Sequence, residues 1–268
     1  MNKQLKKIVK LFLKIIFNIL AIFVMAIGWI FVSKKKNKEP DTSWETGRKE
    51  IYDYGIEYWE NKIDKLDLRK KGIDVLEVGS GNGQWLIAFS KFANHVEGIE
   101  PVKEILEYSL QKFKEYDVEK KIKVTQAFSD KLPQEDRSFD LIFCAGVFMF
   151  TRQKETLKEF YRVLKDDGKA TIVVNGLGYY IMRLIEGMSY LSLKKTKLGL
   201  SVIFNTIFKW IFKKQIGTSA VSYNEMQKMI EESELNIVNA QIWLDQEKYP
   251  FEHFGFVTSY AFTIKKVI

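Results

Sequence analysis

The chain has 268 residues, 46% of them hydrophobic and 28% charged, which suffices for the core of one α/β domain and excludes wholesale disorder. Its single cysteine, Cys144, excludes a disulfide framework and a multi-cysteine zinc site. His95 and His253 are the only histidines, so no metal site is expected. The net charge of +8 resides in the first 40 residues, which hold nine lysines and one acid, Glu39. Because the remaining residues are balanced, the charge does not indicate a nucleic-acid partner.

Residues 11–32 read LFLKIIFNILAIFVMAIGWIFV and are interrupted only by Lys14 and Asn18. A helix of this length covers roughly 30 Å, the thickness of the hydrocarbon core of a bilayer. Lysines flank the run on both sides, so its orientation is open, and Trp29 stands where an interfacial aromatic is expected. The pattern predicts that residues 1–40 are an uncleaved membrane anchor whose partner is the lipid bilayer. A helix lying in the interface, a cleaved signal peptide and a buried helix are the alternatives.

Apolar side chains at helical spacing over residues 44–66 predict a lead-in helix within residues 41–70. From Gly72 onward, short apolar runs alternate with helical patterns. The runs are IDVLEV, HVEGIE, IKVTQA, FDLIFCA and ATIVVN, and two more, NIVNAQIWL and TSYAFTIKKVI, follow toward the C-terminus. This alternation predicts an α/β fold, a doubly wound sheet covered on both faces.

The segment VLEVGSGNG, residues 75–83, predicts a strand that runs into a glycine loop and then into a helix near Gln84. Glycines there permit positive φ angles and remove the Cβ atoms that would hold a ligand away from the backbone. A dinucleotide fingerprint would place glycine at position 84 and would not require the acid Glu77. The next strand ends at Glu100, whose carboxylate can accept the hydrogen bonds of both hydroxyls of a ribose. These features favour a nucleoside-binding site.

The chain resembles the class I S-adenosylmethionine-dependent methyltransferases. The similar segments are residues 76–83 for the first motif, 98–101 for the ribose-binding strand end, 132–142 for the entry to the fourth strand and 163–169 for the turn before the fifth. The resemblance covers about 71–175 and 218–268. It implies a Rossmann-like seven-stranded sheet of order 3-2-1-4-5-7-6, methyltransferase activity and S-adenosyl-L-methionine as cofactor.

The same resemblance implies a cofactor site. Glu77 would position the amino end of the cofactor, and Glu100 would hold its ribose. Where many members carry an Asp that accepts from the adenine amino group, this chain has Phe128, which can pack on the ring, and Asp130 is a candidate substitute. The implied cofactor-binding residues are Glu77, Gly79, Ser80, Gly81, Gly83, Glu100, Pro101, Phe128, Ser129 and Cys144.

A base would help an oxygen nucleophile, and the family topology places the loop between the last two strands at the cofactor edge. His253 lies in that loop, with Asp245 and Glu247 nearby, and is the predicted catalytic base; an ordinary loop histidine is the competing interpretation. Residues 148–150, Phe-Met-Phe, are either an acceptor-contacting cluster or part of the core.

Residues 176–217 form an apolar insertion with seven basic residues and one acid, Glu186. Ser201, Asn205, Lys209 and Lys213 recur every four positions and predict a helix with one narrow polar stripe, which a turn at residues 194–197 joins to a preceding apolar stretch. Such an insertion is either a helical cap on the domain or an interfacial lid over the pocket.

The sequence therefore predicts a membrane-anchored methyltransferase with its catalytic domain in the cytoplasm and an amphiphilic or lipid-linked acceptor. A soluble small-molecule acceptor, with the anchor serving only localisation, and an inactive scaffold protein of nucleotide-binding fold are the alternatives. The predicted segments are the anchor 1–40, the lead-in helix 41–70, the core 71–175, the lid 176–217 and the C-terminal part of the core 218–268.

Overall fold

The computed structural model describes residues 19, 23, 52–189, 192–214, 217–242, 252–253 and 256–267. The predicted anchor, apart from Ile19 and Phe23, lies outside the described residues. Within the part of the chain that is described, no helix combines the length and the apolar composition needed to cross a bilayer. The chain divides into two compact units. The sheet unit is built mainly from residues 52–174, 223–241 and 260–267, and the helical unit mainly from residues 175–222 and 242–259.

Strands and helices alternate along the chain as the sequence predicts. The helices are α1 (Ile56–Lys65), α2 (Gln84–Phe89), α3 (Lys103–Glu115), α4 (Gln153–Val163), α5 (Leu177–Ser189), α6 (Leu193–Phe212) and α7 (Tyr223–Glu231). The strands are β1 (Asp74–Val78), β2 (His95–Ile99), β3 (Ile122–Thr125), β4 (Phe139–Ala145), β5 (Leu164–Asn175), β6 (Leu235–Ile242), β7 (Glu252–His253), β8 (Phe256–Val257) and β9 (Ser259–Lys266).

The main sheet has the order β3-β2-β1-β4-β5-β9-β6, and the short strands β7 and β8 pair with each other in a separate antiparallel ribbon. Since β9 is the seventh strand of the main sheet, the predicted order 3-2-1-4-5-7-6 is confirmed. Strand β1 pairs in parallel with both β2 and β4. In such a sheet the strand order reverses beside β1, and the crevice at the carboxyl ends of the strands is the usual ligand site.

The core lies on both faces of the central strands. Val75 and Leu76 in β1 and Ile142 and Phe143 in β4 are fully buried, so consecutive residues of these strands are covered on both faces of the sheet. Helix α2 is buried from Trp85 to Phe89, and Phe89 packs edge-on against Phe143. This packing holds the carboxyl end of β1 and the start of α2 in fixed positions.

Two segments of the sheet unit differ from the prediction. The lead-in helix is interrupted, because Gly55 adopts a φ of 72° and α1 begins only at Ile56. The predicted turn at residues 163–169 is instead part of β5, where the pairing with β4 shifts register between Phe139 and Leu141. Lys165 lies in this irregular stretch and bonds Asp74 at 2.8 Å and Asp140 at 2.9 Å. The residues of this turn therefore form a bulge in β5, and Asp74 and Asp140 neutralise the charge of Lys165.

In the helical unit, α5 and α6 pack against each other at two glycines. A Cβ on Gly187 would lie 2.3 Å from the Thr196 nitrogen, and one on Gly199 would lie 2.8 Å from the Leu184 nitrogen. The predicted turn at residues 194–197 is wrong, because Ser192 caps α6 by accepting from the Lys195 N–H and the helix starts at Leu193. A serine at the N-cap position can therefore start a helix even when the first turn is rich in lysine.

Candidate cofactor site

The glycine loop between β1 and α2 is tied to the end of the neighbouring strand. Gly79, Gly81 and Gly83 have φ angles of 75°, 53° and 86°, which disfavour residues with a Cβ. The backbone N–H groups of Gly79 and Ser80 both donate to the Ile99 carbonyl at 2.9 Å. The loop therefore has a fixed course directly above the carboxyl end of β2.

The three loop glycines meet different surroundings. A Cβ on Gly79 would lie 2.6 Å from Val147 Cγ2, and one on Gly83 would lie 2.5 Å from Phe113 Cε1. Nothing lies within 4 Å of a Cβ on Gly81. Gly79 and Gly83 are thus required for packing within the protein, whereas Gly81 leaves open space beside its backbone.

Glu100 connects β2 to the glycine loop. One carboxylate oxygen accepts from the Gly81 N–H at 3.1 Å and the other from the Val102 N–H at 3.0 Å, and the residue is buried. A carboxylate oxygen has lone pairs for more than one donor, so each oxygen retains acceptor capacity. Two hydroxyl groups of a ribose match that remaining capacity.

Glu77 lies at the end of β1 and is 2% exposed. Burial and then the nearby negative charge of Glu100 raise the pKa of Glu77 well above its usual range, although the Leu86 N–H opposes the shift. The thiol of Cys144 is also fully buried, and its pKa is raised by burial and by the proximity of Glu77. A buried carboxyl group of this kind favours a positively charged ligand group, which would restore its ionised form.

Several buried polar atoms around the loop have no hydrogen-bond partner among the residues that the structure describes. They are Glu77 Oε2, Ser80 Oγ, Asn82 Oδ1 and Gln84 Oε1. Buried polar atoms are rarely left unsatisfied, and a cluster of them marks a place where a ligand or water completes the bonding. The atoms fit the amino acid end of S-adenosylmethionine, whose ammonium group would donate to Glu77.

An open cleft of about 860 Å³ lies beside this loop in the sheet unit. Its walls come from the loops that follow β1, β2, β3 and β4, and the residues that line it include Gly79, Glu100, Pro101, Phe128 and Ser129. Of the predicted cofactor residues, these five line the cleft, while Glu77, Ser80, Gly81, Gly83 and Cys144 belong to the adjoining loop and strand ends.

Aromatic side chains face this cleft. Phe128 is 68% exposed and Phe150 is 62% exposed, although both are large apolar residues. Phe148 and Met149 are buried, so the predicted cluster at residues 148–150 is divided between the core and the cleft. Exposed aromatic rings in a concave site are typical of surfaces that stack on a base or an apolar ligand.

The polar groups at the cleft rim are paired with each other. Asp130 lies 3.2 Å from Arg152 across the loops that follow β3 and β4, and both residues line the cleft. The Ser129 hydroxyl is 2.9 Å from that of Thr156. Asp130 is thus engaged by a cation, which opposes the predicted use of its carboxylate for the adenine amino group.

Sequence reasoning missed one contact with the glycine loop. The hydroxyl of Tyr52, just before α1, donates to the Asn82 carbonyl, and burial raises the pKa of this tyrosine. Tyr52 also packs on Tyr116 with ring centroids 5.7 Å apart. The periodicity of the lead-in segment predicts a helix and gives no signal for a single tyrosine that reaches a distant loop.

The predicted base is placed outside the sheet unit. His253 pairs with Phe256 in the β7–β8 ribbon of the helical unit, and Asp245 and Glu247 lie outside the described residues. The catalytic role of His253 therefore stays a prediction. Among the described residues, no group of three or more His, Cys, Asp or Glu side chains is arranged to hold a metal ion.

The strand order, the glycine loop and the acidic residue at the end of β2 together define a Rossmann-like methyltransferase fold. Residues 75–168 match the model of a family described as a methyltransferase domain. This segment is about a third of the chain, and its match agrees with the resemblance to the class I S-adenosylmethionine-dependent methyltransferases.

Individual relatives are similar to the same part of the chain. YcgJ of Bacillus subtilis, an uncharacterized methyltransferase, is 33% identical over 100 residues, which are 37% of this chain and 39% of that protein. A demethylmenaquinone methyltransferase of Lactobacillus johnsonii is 31% identical over 119 residues, 43% of this chain and 49% of that protein. The chain thus spans about half or less of the length of these relatives.

Solved structures show the same fold. The crystal structure of YcgJ aligns with 79% of this chain and 100% of its own length, with a TM-score of 0.54 at 17% identity. A SAM-dependent methyltransferase from Aquifex aeolicus aligns over 82% of this chain and 98% of its own, with a TM-score of 0.55 at 17% identity. At this level of identity, the likeness concerns the fold.

Proposed function

We propose that this protein binds S-adenosylmethionine in the cleft of the sheet unit and transfers its methyl group to an amphiphilic acceptor. The observation that carries the proposal is the position of Glu100, whose carboxylate is fixed by the Gly81 and Val102 N–H groups at the edge of an open cleft. Buried oxygens on Glu77 and Ser80, which no described residue satisfies, lie in the adjoining strand and loop. The match of residues 75–168 to a methyltransferase domain supports the same reaction.

The cofactor would supply a methyl group carried on a sulfonium ion. Transfer of such a group is an in-line displacement that gains most from positioning, which the fixed loop and the buried Glu100 provide before any ligand binds. Glu77 would hold the ammonium end in its ionised form. Phe128, with no hydrogen-bonding group, would pack on the adenine ring rather than read its amino group.

The cleft also suggests the class of acceptor. Phe150 and Val147 line the cleft together with Phe128, and Lys131 lies at its rim beside the Arg152–Asp130 ion pair. This combination suits an acceptor with an apolar ring or tail and a polar or anionic group. The Lactobacillus johnsonii relative is named for the acceptor demethylmenaquinone. An amphiphilic acceptor for this chain would agree with that name.

The membrane anchor predicted for residues 1–40 completes this proposal. A bilayer-attached enzyme with its cofactor site in the cytoplasm would meet an amphiphilic acceptor at high local concentration. A soluble acceptor remains the alternative within the enzyme class.

A pair of matched acceptors distinguishes an amphiphilic acceptor from a soluble one. The full chain in detergent would be incubated with methyl-labelled S-adenosylmethionine and phenolic acceptors that carry or lack an isoprenoid tail. We expect label on the tailed acceptors, with a raised KM in Phe150→Ala and no transfer in Glu100→Ala. Equal transfer to acceptors without a tail would contradict the amphiphilic acceptor and favour the soluble one. Absence of transfer to all of them by a chain that binds the cofactor would favour the inactive scaffold.

A further inference from the structure

Helix α6 turns its polar stripe inward. The amide of Asn205 donates to the Thr218 carbonyl at 3.0 Å, and the ammonium group of Lys209 donates to the Ala220 carbonyl at 3.2 Å. Thr206 is fully buried and accepts from the Ala220 N–H at 2.9 Å. Asn205 and Lys209 of the predicted stripe thus hold the segment that follows the helix, whereas Lys213 at the end of the stripe is exposed.

The exposed face of α6 is apolar instead. Phe204 is 47% exposed, Ile207 45% and Ile211 66%, and Leu193 at the start of the helix is 40% exposed. Spacings of three and four residues bring Phe204, Ile207 and Ile211 onto one side of the helix. Phe208 stacks between Phe204 and Phe212, with ring centroids 6.2 Å and 4.5 Å apart. A soluble protein rarely exposes a continuous row of such side chains without a binding purpose.

The charge around this face has a single sign. Residues 187–224 contain no acidic residue and six lysines, three in the first turns of α6 and three at or beyond its C-terminal end. Lys213 and Lys214, which follow the helix, are exposed. An apolar face bordered by lysines is complementary to a surface that is apolar inside and negatively charged at its edge.

From this face we infer that α6 docks on the surface of an anionic lipid bilayer, with its axis in the plane of the membrane and the row Phe204, Ile207 and Ile211 inserted among the acyl chains. A second copy of the chain would bring six further lysines to the same face, and the repulsion disfavours that occupant. The helix is not one that can cross a bilayer. The inference concerns attachment alone and does not depend on methyl transfer.

The test places a reporter on the proposed face in the full chain. Ile211→Cys would carry an environment-sensitive fluorophore, and Cys144 is fully buried, so labelling is directed to the introduced thiol. Glu119→Cys, an exposed site in the sheet unit, is the matched control. Vesicles of phosphatidylcholine, with or without phosphatidylglycerol, would carry nitroxide quenchers on their acyl chains. Reporter emission and vesicle sedimentation would be recorded together.

We expect a blue shift and loss of most emission at position 211 in phosphatidylglycerol vesicles, and little change at position 119. In pure phosphatidylcholine the response at 211 falls, as it does in the Lys213→Gln, Lys214→Gln variant. Protein that sediments with anionic vesicles while the 211 reporter stays in water would overturn the inference, because another segment would then hold the membrane. A response that needs no vesicles and grows with protein concentration would identify a second copy as the occupant and would also overturn it.

Discussion

The Gly81 N–H donates to a carboxylate oxygen of Glu100 at 3.1 Å, so the acid that ends β2 is part of the glycine loop's support as well as a candidate ligand for ribose. Removal of this carboxylate would free the Gly81 and Val102 N–H groups together. The loop is nevertheless held by a second set of bonds, from the Gly79 and Ser80 N–H groups to the Ile99 carbonyl. Substitution of Glu100 should therefore affect binding more than folding.

Cofactor binding should release a proton from Glu77. Burial and the charge of Glu100 raise the pKa of Glu77 in the free protein, and an ammonium group beside it would lower that pKa. At any pH between the two pKa values the carboxyl group ionises on binding, so affinity should increase with pH over that window. Calorimetric titrations in buffers of different ionisation enthalpy measure the released proton directly.

Glu77→Gln is the control for this linkage. The variant should show no proton release from this position and a loss of about tenfold or more in affinity, since a hydrogen bond to a charged group contributes about 1.5–3 kcal/mol. Proton release that is undiminished in Glu77→Gln would assign the proton to another group.

The same residue should make folding depend on pH. The pKa of Glu77 is higher in the folded state than its ordinary value. The stability that Glu77 contributes is therefore complete at a pH below the ordinary value, and it is lost as the pH rises through the pKa of the folded state. The free energy of unfolding of the native chain, relative to Glu77→Gln, should therefore decrease with rising pH. Urea unfolding of both proteins over a pH series gives this difference, and a constant difference would refute the assignment.

The loop glycines offer a matched pair of substitutions. Gly81→Ala imposes a left-handed conformation on alanine at a cost of about 1–2 kcal/mol and meets open space. Gly83→Ala carries the same strain and also drives a Cβ to 2.5 Å from the fully buried ring of Phe113, which adds about 1–3 kcal/mol. Chemical denaturation should rank the variants in that order, and equal stabilities would show that the Phe113 contact relaxes freely.

Phe128 should matter for binding and not for stability. Its side chain is largely exposed, so Phe128→Ala should change the free energy of unfolding by no more than about 0.5 kcal/mol. Loss of a packed ring should weaken cofactor binding by about threefold to tenfold, from about 0.5–1.5 kcal/mol of aromatic contact. Phe128→Tyr keeps the ring and should bind like the native chain. Unchanged affinity in Phe128→Ala would mean that the ring does not contact adenine.

The sequence predicted the central sheet well because its signals are local. The segments around Val75 and Ile142 are mostly apolar, which is typical of strands buried on both faces, and the glycines after Val78 mark the loop. The order of the strands came from a family resemblance and not from periodicity. It is confirmed down to the position of β9 between β5 and β6.

The features that the sequence did not predict depend on contacts between residues that are far apart in the chain. The register shift that draws residues 164–169 into β5 is accompanied by the ion pairs of Lys165 with Asp74 and Asp140, two residues far away in the chain. The inward turn of the polar stripe on α6 depends on backbone carbonyl groups of residues 218–220. A helical wheel can identify a polar stripe, but it cannot determine which side of the helix faces the protein.

The most direct test of the proposed function is a titration of S-adenosylmethionine into the full chain in detergent, alongside Glu100→Ala. The proposal predicts saturable one-site binding by the native chain. It predicts a loss of about tenfold or more in the variant, because each hydrogen bond to the carboxylate contributes about 1.5–3 kcal/mol. Circular dichroism would confirm that both proteins are folded. A folded native chain that does not bind the cofactor, or a variant that binds it equally well, would contradict the account.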